Sequence, residues 1–194
     1  MSLFVSVIDD TDEELIPSLE EAVALSVKEP KLVIGTNVDG VQGESIGSYG
    51  NLHKLRGFAA HIEFNGGTPT VEDQAANYPL LRNIYEGELI TKQFQHLIEH
   101  SDSDGFYLPI DFAEPFPLVI DETLNSCGSS FQLLNELNQI GPVLFGDSLA
   151  ELKGPEIFWT LDDFDPWVVE KLVWTRLRWL VRNANKQNLV MTFG

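Results

Sequence analysis

Apolar positions along this chain recur with two periods, one near two residues and one near three and a half. Leu3 to Ile8 (LFVSVI) is a short β-rich run that ends in the acidic cluster DDTDEE. In that cluster Thr11 and Glu14 fit a capping box, and Pro17 fits the first turn of a helix reaching about Val27. KLVIGT, residues 31–36, predicts a buried strand. VDGVQGESIGSY predicts a twisted strand or hairpin, because glycines interrupt its alternation. Asn51 can cap the next helix, in which Leu52, Leu55, Phe58, Ala59 and Ile62 share one face and Gly66-Gly67 form the stop. A further helix is predicted over 70–86, broken at Pro79. Another is capped by Thr91, with Phe94, Leu97 and Ile98 apolar.

An acidic turn at 101–105 comes next. FYLPIDF and FPLVID then read as strands or extended segments. Gly128-Ser129-Ser130 opens a helix with Phe131, Leu133, Leu134, Leu137 and Ile140 apolar, and Gly141-Pro142 stops it. Residues 143–165 are loop-rich and acidic. Asp165-Pro166 is a cap followed by a proline suited to a first helical turn, and the helix it starts runs to about Asn185. Trp167, Val168, Val169, Leu172, Val173, Trp174, Leu177, Trp179, Leu180 and Val181 make that helix apolar on most sides, so it is buried or lies between two partners. NLVMTF, 188–193, is a last strand. With no repeat, low-complexity tract or linker, the expectation is one α+β domain over 1–194. Several amphipathic helices would pack on a small mixed or antiparallel sheet, with a long C-terminal helix before a last strand.

Composition adds charge to this picture. Thirty acids against twelve bases give the 194 residues a formal net charge of −18. Such a surface repels nucleic-acid phosphate and anionic lipid and attracts cationic proteins. The expected partner is therefore a basic protein, with neither nucleic acid nor membrane involved. Asp9, Asp10, Asp12, Glu13 and Glu14 would form the contact surface. Lys171, Arg176, Arg178, Arg182 and Lys186 fall in the last helix. They would balance the acidic body or meet an acidic patch on a second copy, as in a homodimer. No stretch approaches the roughly 20 apolar residues needed to cross a bilayer. The acidic start fits neither a secretory nor a transit peptide, and the single cysteine, Cys127, forms no internal disulfide. The expected compartment is the cytoplasm.

Candidate chemistry centres on HLIEHSDSDG, 96 to 105. His96, Glu99 and His100 spell H-x-x-E-H, which on a helix would offer zinc two imidazoles, with Glu99 as the base activating water. A third ligand has no assigned source. Read as a calcium loop, His100 takes the first position, Asp102 the third, Asp104 the fifth, Gly105 the sixth and Asp111 the twelfth. Histidine is a poor calcium ligand, and Pro109 stands where the exit helix should begin. A helix ending in an Asp/Ser/Gly turn fits more of these residues, and then no cofactor is required. GESIG matches a nucleophile elbow with Ser45 as nucleophile, but no strand ends directly before it and no helix starts directly after. The glycines at 35, 40, 43, 47 and 50 form no phosphate loop. Cys127 sits near a plausible helix start, which would lower its pKa, though no histidine is tied to it.

GSYGNLHKLR at 47–56, HSDSDG at 100–105 and GSSFQLLNEL at 128–137 together resemble a group of small, mostly uncharacterised bacterial proteins. Those proteins carry G-S-Y-x-x-[FL]-x-x-L-R, then H-S-D-x-D-G, and some are assigned as immunity proteins of polymorphic toxin systems. The resemblance implies a cytoplasmic binding protein that neutralises a basic toxin, without catalytic residues. It singles out Tyr49, Arg56, His100, Asp102, Asp104 and Gly105. The function expected is thus a non-enzymatic acidic module that binds a protein. The alternatives are a hydrolase built on H-x-x-E-H and a protein with a structural calcium-like turn at 100–111.

Overall fold

The computed structural model describes residues 2–8, 15–26, 32–35, 38, 41, 43–71, 73–120, 122–146 and 164–193. Its strands are β1 (Ser2–Val7), β2 (Glu44–Ser48), β3 (Phe106–Leu108), β4 (Phe116–Ile120), β5 (Thr123–Ser129) and β6 (Met191–Phe193). They form one sheet in the order β2-β1-β6-β3-β5-β4. The pairing is antiparallel except between β3 and β5. The helices are α1 (Leu15–Ser26), α2 (Tyr49–Asn65), α3 (Asp73–Tyr85), α4 (Gln95–Ile98), α5 (Ser130–Phe145) and α6 (Val168–Gln187). The class is α+β with a mixed sheet, as the alternation predicts.

Period-two alternation sorts the buried residues of the sheet onto two faces. Leu3, Val5, Tyr107, Met191 and Phe193 point into a large core with α2, α5 and α6. Phe106, Leu108, Leu118, Ile120, Cys127 and Val190 point the other way, onto Leu19 and Val23 of α1. The helix stripe of Leu52, Leu55, Phe58 and Ala59 is fully buried, as its spacing requires. α6 buries Val173, Trp174, Leu177, Leu180, Val181 and Ala184, and the Trp174 indole donates to the Leu137 carbonyl at 2.6 Å. Packing against α2, α5 and β2 covers this helix, so its broad apolar surface needs no second copy.

Several local expectations are corrected. The described part of KLVIGT, 32–35, is not a strand. Val33 is exposed, and the segment is tied down where the Gly35 N–H donates to the Asn188 carbonyl at 2.8 Å. TLNSCGS, without strong alternation, forms β5. Ser48, not Asn51, caps α2, its Oγ accepting the Asn51 N–H at 3.3 Å. Pro142 lies inside α5, one turn from its end. Losing the proline N–H there leaves the carbonyl of Asn138 to water on an exposed face, which costs little. Asp165 is not the cap: its carboxylate accepts the Trp167 N–H at 2.8 Å in the preceding turn, and α6 begins at Val168 with Trp167 as N-cap and no side-chain cap bond. The Thr11–Glu14 capping box lies outside the described residues.

Candidate functional site

α4 has only four residues, too few to hold itself together, and two ionisable side chains grip its ends. At its N-terminus the Glu136 carboxylate accepts the His96 N–H at 2.9 Å and the Leu97 N–H at 2.8 Å. At its C-terminus Arg56 donates from Nε to the Leu97 carbonyl and from Nη2 to the His100 carbonyl, both at 2.7 Å. A carboxyl group thus meets the positive end of the helix and a cation the negative end, and each satisfies backbone groups that the short helix leaves unpaired. Both side chains are buried, Arg56 at 1% and Glu136 at 4% exposure.

Arg56 also anchors the acidic turn. Its Nη1 donates to Asp102, whose second oxygen accepts from His53 Nε2 at 2.5 Å. The Tyr85 hydroxyl lies 3.5 Å from the same Nη1. Two of the stretches that carry the resemblance, GSYGNLHKLR and HSDSDG, are therefore the two halves of one Arg–Asp–His network. Gly105 closes the turn at φ +109°, where a Cβ would meet the Ser126 carbonyl oxygen of β5 at 2.1 Å.

The H-x-x-E-H histidines have other partners. His96 Nδ1 accepts the Ser129 N–H at 2.9 Å, which leaves Nε2 to donate to the Ala113 carbonyl at 3.2 Å. Burial lowers the His96 pKa. His100 lies beyond the end of α4 and stacks on Tyr107 with 4.0 Å between ring centroids. Its Nδ1 faces the Ser101 carbonyl at 2.8 Å and its Nε2 the Phe106 carbonyl at 3.2 Å. Two acceptors would favour a doubly protonated ring, but complete burial outweighs them and pushes the pKa down to about 4. The ring is neutral at pH 7 and makes one of the two bonds.

The calcium-loop acids diverge as well. Asp102 serves Arg56 and His53, Asp104 accepts from the Ser103 hydroxyl, and Asp111 accepts from the Gln132 amide. Glu99 is exposed. Among the described residues no group of three or more His, Cys, Asp or Glu could hold a metal ion. Ser45 sits within β2, its carbonyl accepting from Arg176. Cys127 is a buried β5 residue rather than a helix-start thiol, and burial raises its pKa. His53, Tyr85 and Glu136 are absent from the site read from the sequence, as is Glu63, whose carboxylate accepts the Thr91 hydroxyl and the Lys92 and Gln93 N–H groups ahead of α4. The available signal for Glu136 is a lone acid beside Leu133, Leu137 and Ile140 on an otherwise apolar stripe.

Charge is sorted along the sheet. From Asn83 to Leu152 the chain has twelve acids and a single base, Lys92. This stretch supplies α4, β3, β4 and β5, the half of the sheet that ends at β4. Glu88, Glu99, Asp104, Asp111, Glu114 and Glu122 are exposed there. The Glu99 pKa is raised by burial first and then by the charges of Glu114 and Glu63. Of the α6 bases, Arg176 reaches β2 at the other end, donating to the Ser45 carbonyl. Lys171 is paired with Asp165 at 2.5 Å, and Arg178 donates to Asn138 at 2.9 Å. The expected contact residues Asp9, Asp10, Asp12, Glu13 and Glu14 lie outside the described residues. Among the described residues no helix is long and apolar enough to cross a membrane.

No curated protein and no solved structure matches this chain. A family model described as "Putative DNA-mimic protein" matches residues 11–193. That match corrects the expected partner, a basic protein with no nucleic acid involved, because a DNA-mimic family points to a DNA-binding protein. Matched over nearly its whole length, this acidic protein-binding chain belongs to the family of that description.

Proposed function

We propose that this protein occupies the DNA-binding surface of a DNA-binding protein and presents carboxylates where that surface receives phosphates. The family match over residues 11–193 carries this reading. Charge supports it. Duplex DNA displays a phosphate about every 1.7 Å of axis, and a protein that binds it keeps lysines and arginines ready for them. A net charge of −18, with exposed acids concentrated on the β3–β5–β4 half of the sheet, gives such a surface a competing target. Rigidity supports it too. The turn that carries Asp104 and the segment that carries Glu99 are fixed by Arg56 and Glu136, so these carboxylates reach a partner already ordered.

The test is capture followed by competitive elution. The protein is immobilised, exposed to lysate at low salt, and washed with short duplex DNA or with an uncharged polymer. The expected eluate under duplex DNA consists of DNA-binding proteins that the uncharged polymer leaves in place. Captured proteins that duplex DNA does not release would overturn the proposal.

A further inference from the structure

The β4–β5 hairpin presents an apolar face that acidity does not explain. Register pairs Val119 with Leu124 and Pro117 with Ser126, so alternation puts these four on one face. The opposite face, with Leu118, Ile120 and Cys127, is buried against α1. Val119 is 58% and Leu124 67% exposed. Beside them opens a cleft of about 310 Å³ lined by Pro115, Phe116, Pro117, Leu124 and Glu99. Its rim is anionic: Glu99 belongs to it, and Glu114 and Glu63 lie close enough to act on the Glu99 carboxyl. Among the described residues no ion pair involves Glu99 or Glu114.

Apolar floor and anionic rim together select an amphipathic cation. A purely basic surface would gain nothing from Leu124, and a purely apolar one would leave Glu99 and Glu114 desolvated without a partner. Strand addition is disfavoured, because β4 carries a proline and so lacks one edge N–H. Recognition is by side chains.

We propose that this cleft receives a cationic amphipathic segment of the DNA-binding partner, with arginine or lysine heads on Glu99 and Glu114 and an apolar side chain on Pro117 and Leu124. The inference rests on the reading of the partner as a DNA-binding protein, and it adds a contact that a phosphate backbone cannot offer.

The test uses two synthetic peptides of equal charge, one alternating arginine with leucine and the other arginine with serine. Binding to the full chain is followed by amide chemical shifts and by titration. The arginine–leucine peptide is expected to bind about tenfold more tightly, the scale of partly burying one leucine. Its shifts should map to 115–117 and 124–126. Leu124→Asp discriminates, because it adds negative charge while removing the floor. The inference predicts that Leu124→Asp abolishes the tenfold preference. If Leu124→Asp tightens both peptides alike, or if the shifts map elsewhere, the inference is overturned. A preference mapped to the hairpin, alongside captured proteins that duplex DNA fails to release, would keep the cleft and discard DNA mimicry.

Discussion

At the scale of single residues, Arg56 and Glu136 organise the acidic half of the molecule by holding backbone rather than by reacting. Arg56 satisfies two carbonyls and one carboxylate from a buried position, a geometry that an ammonium cannot reproduce. Arg56→Lys is expected to cost about 3 kcal/mol in urea unfolding, since buried acceptors lose donors. Glu136 makes a pH signature. Burial raises its pKa to about 8 against the two N–H bonds that favour the anion. A carboxyl raised on folding binds more protons in the native state, so it erodes stability as pH rises from its unfolded value toward 8. His100 acts in the opposite sense, adding stability from about pH 4 up to its unfolded value near 6.5. Between pH 6.5 and 8 the Glu136 contribution is therefore uncovered. Urea midpoints should fall over that interval in the native protein, and the fall should flatten in Glu136→Gln. An equal fall in both would contradict the assignment.

At the scale of elements, legibility followed the strength of the local pattern. β1, β6 and α2 announced themselves by period because each buries one continuous stripe. β5 did not, since TLNSCGS is sheet-forming through its neighbours β3 and β4 rather than through its own side chains. KLVIGT misleads in the other direction, its apolar letters split between buried Leu32 and exposed Val33. The motif at 96–105 could be seen, but its meaning could not, because the partners that decide it lie far along the chain. Arg56 is 44 residues from His100 and Glu136 is 40 from His96. Gly105 gives an element-scale test. Gly105→Ala combines positive φ with a backbone clash against β5, and should destabilise by more than about 2 kcal/mol. Gly87→Ala, at φ +76° with nothing within 4 Å, should cost about 1 kcal/mol. Equal midpoints for the two variants in thermal unfolding would show that the 105–126 contact is dispensable.

At the scale of the whole molecule, a net charge of −18 sets a conflict between folding and binding. Self-repulsion weakens the compact state and salt screens it. The thermal midpoint should rise by a few degrees between low and moderate sodium chloride, while association with a cationic partner weakens steeply over the same range. On this proposal the protein and duplex DNA compete for one surface of the partner, and fluorescence anisotropy measures this directly. A labelled duplex is bound by a DNA-binding protein recovered by the capture described above, and the acidic protein is added. Anisotropy is expected to fall to the value of free duplex as the protein takes the DNA's place. Anisotropy that climbs, reporting a ternary complex, or that stays constant at saturating protein would contradict it.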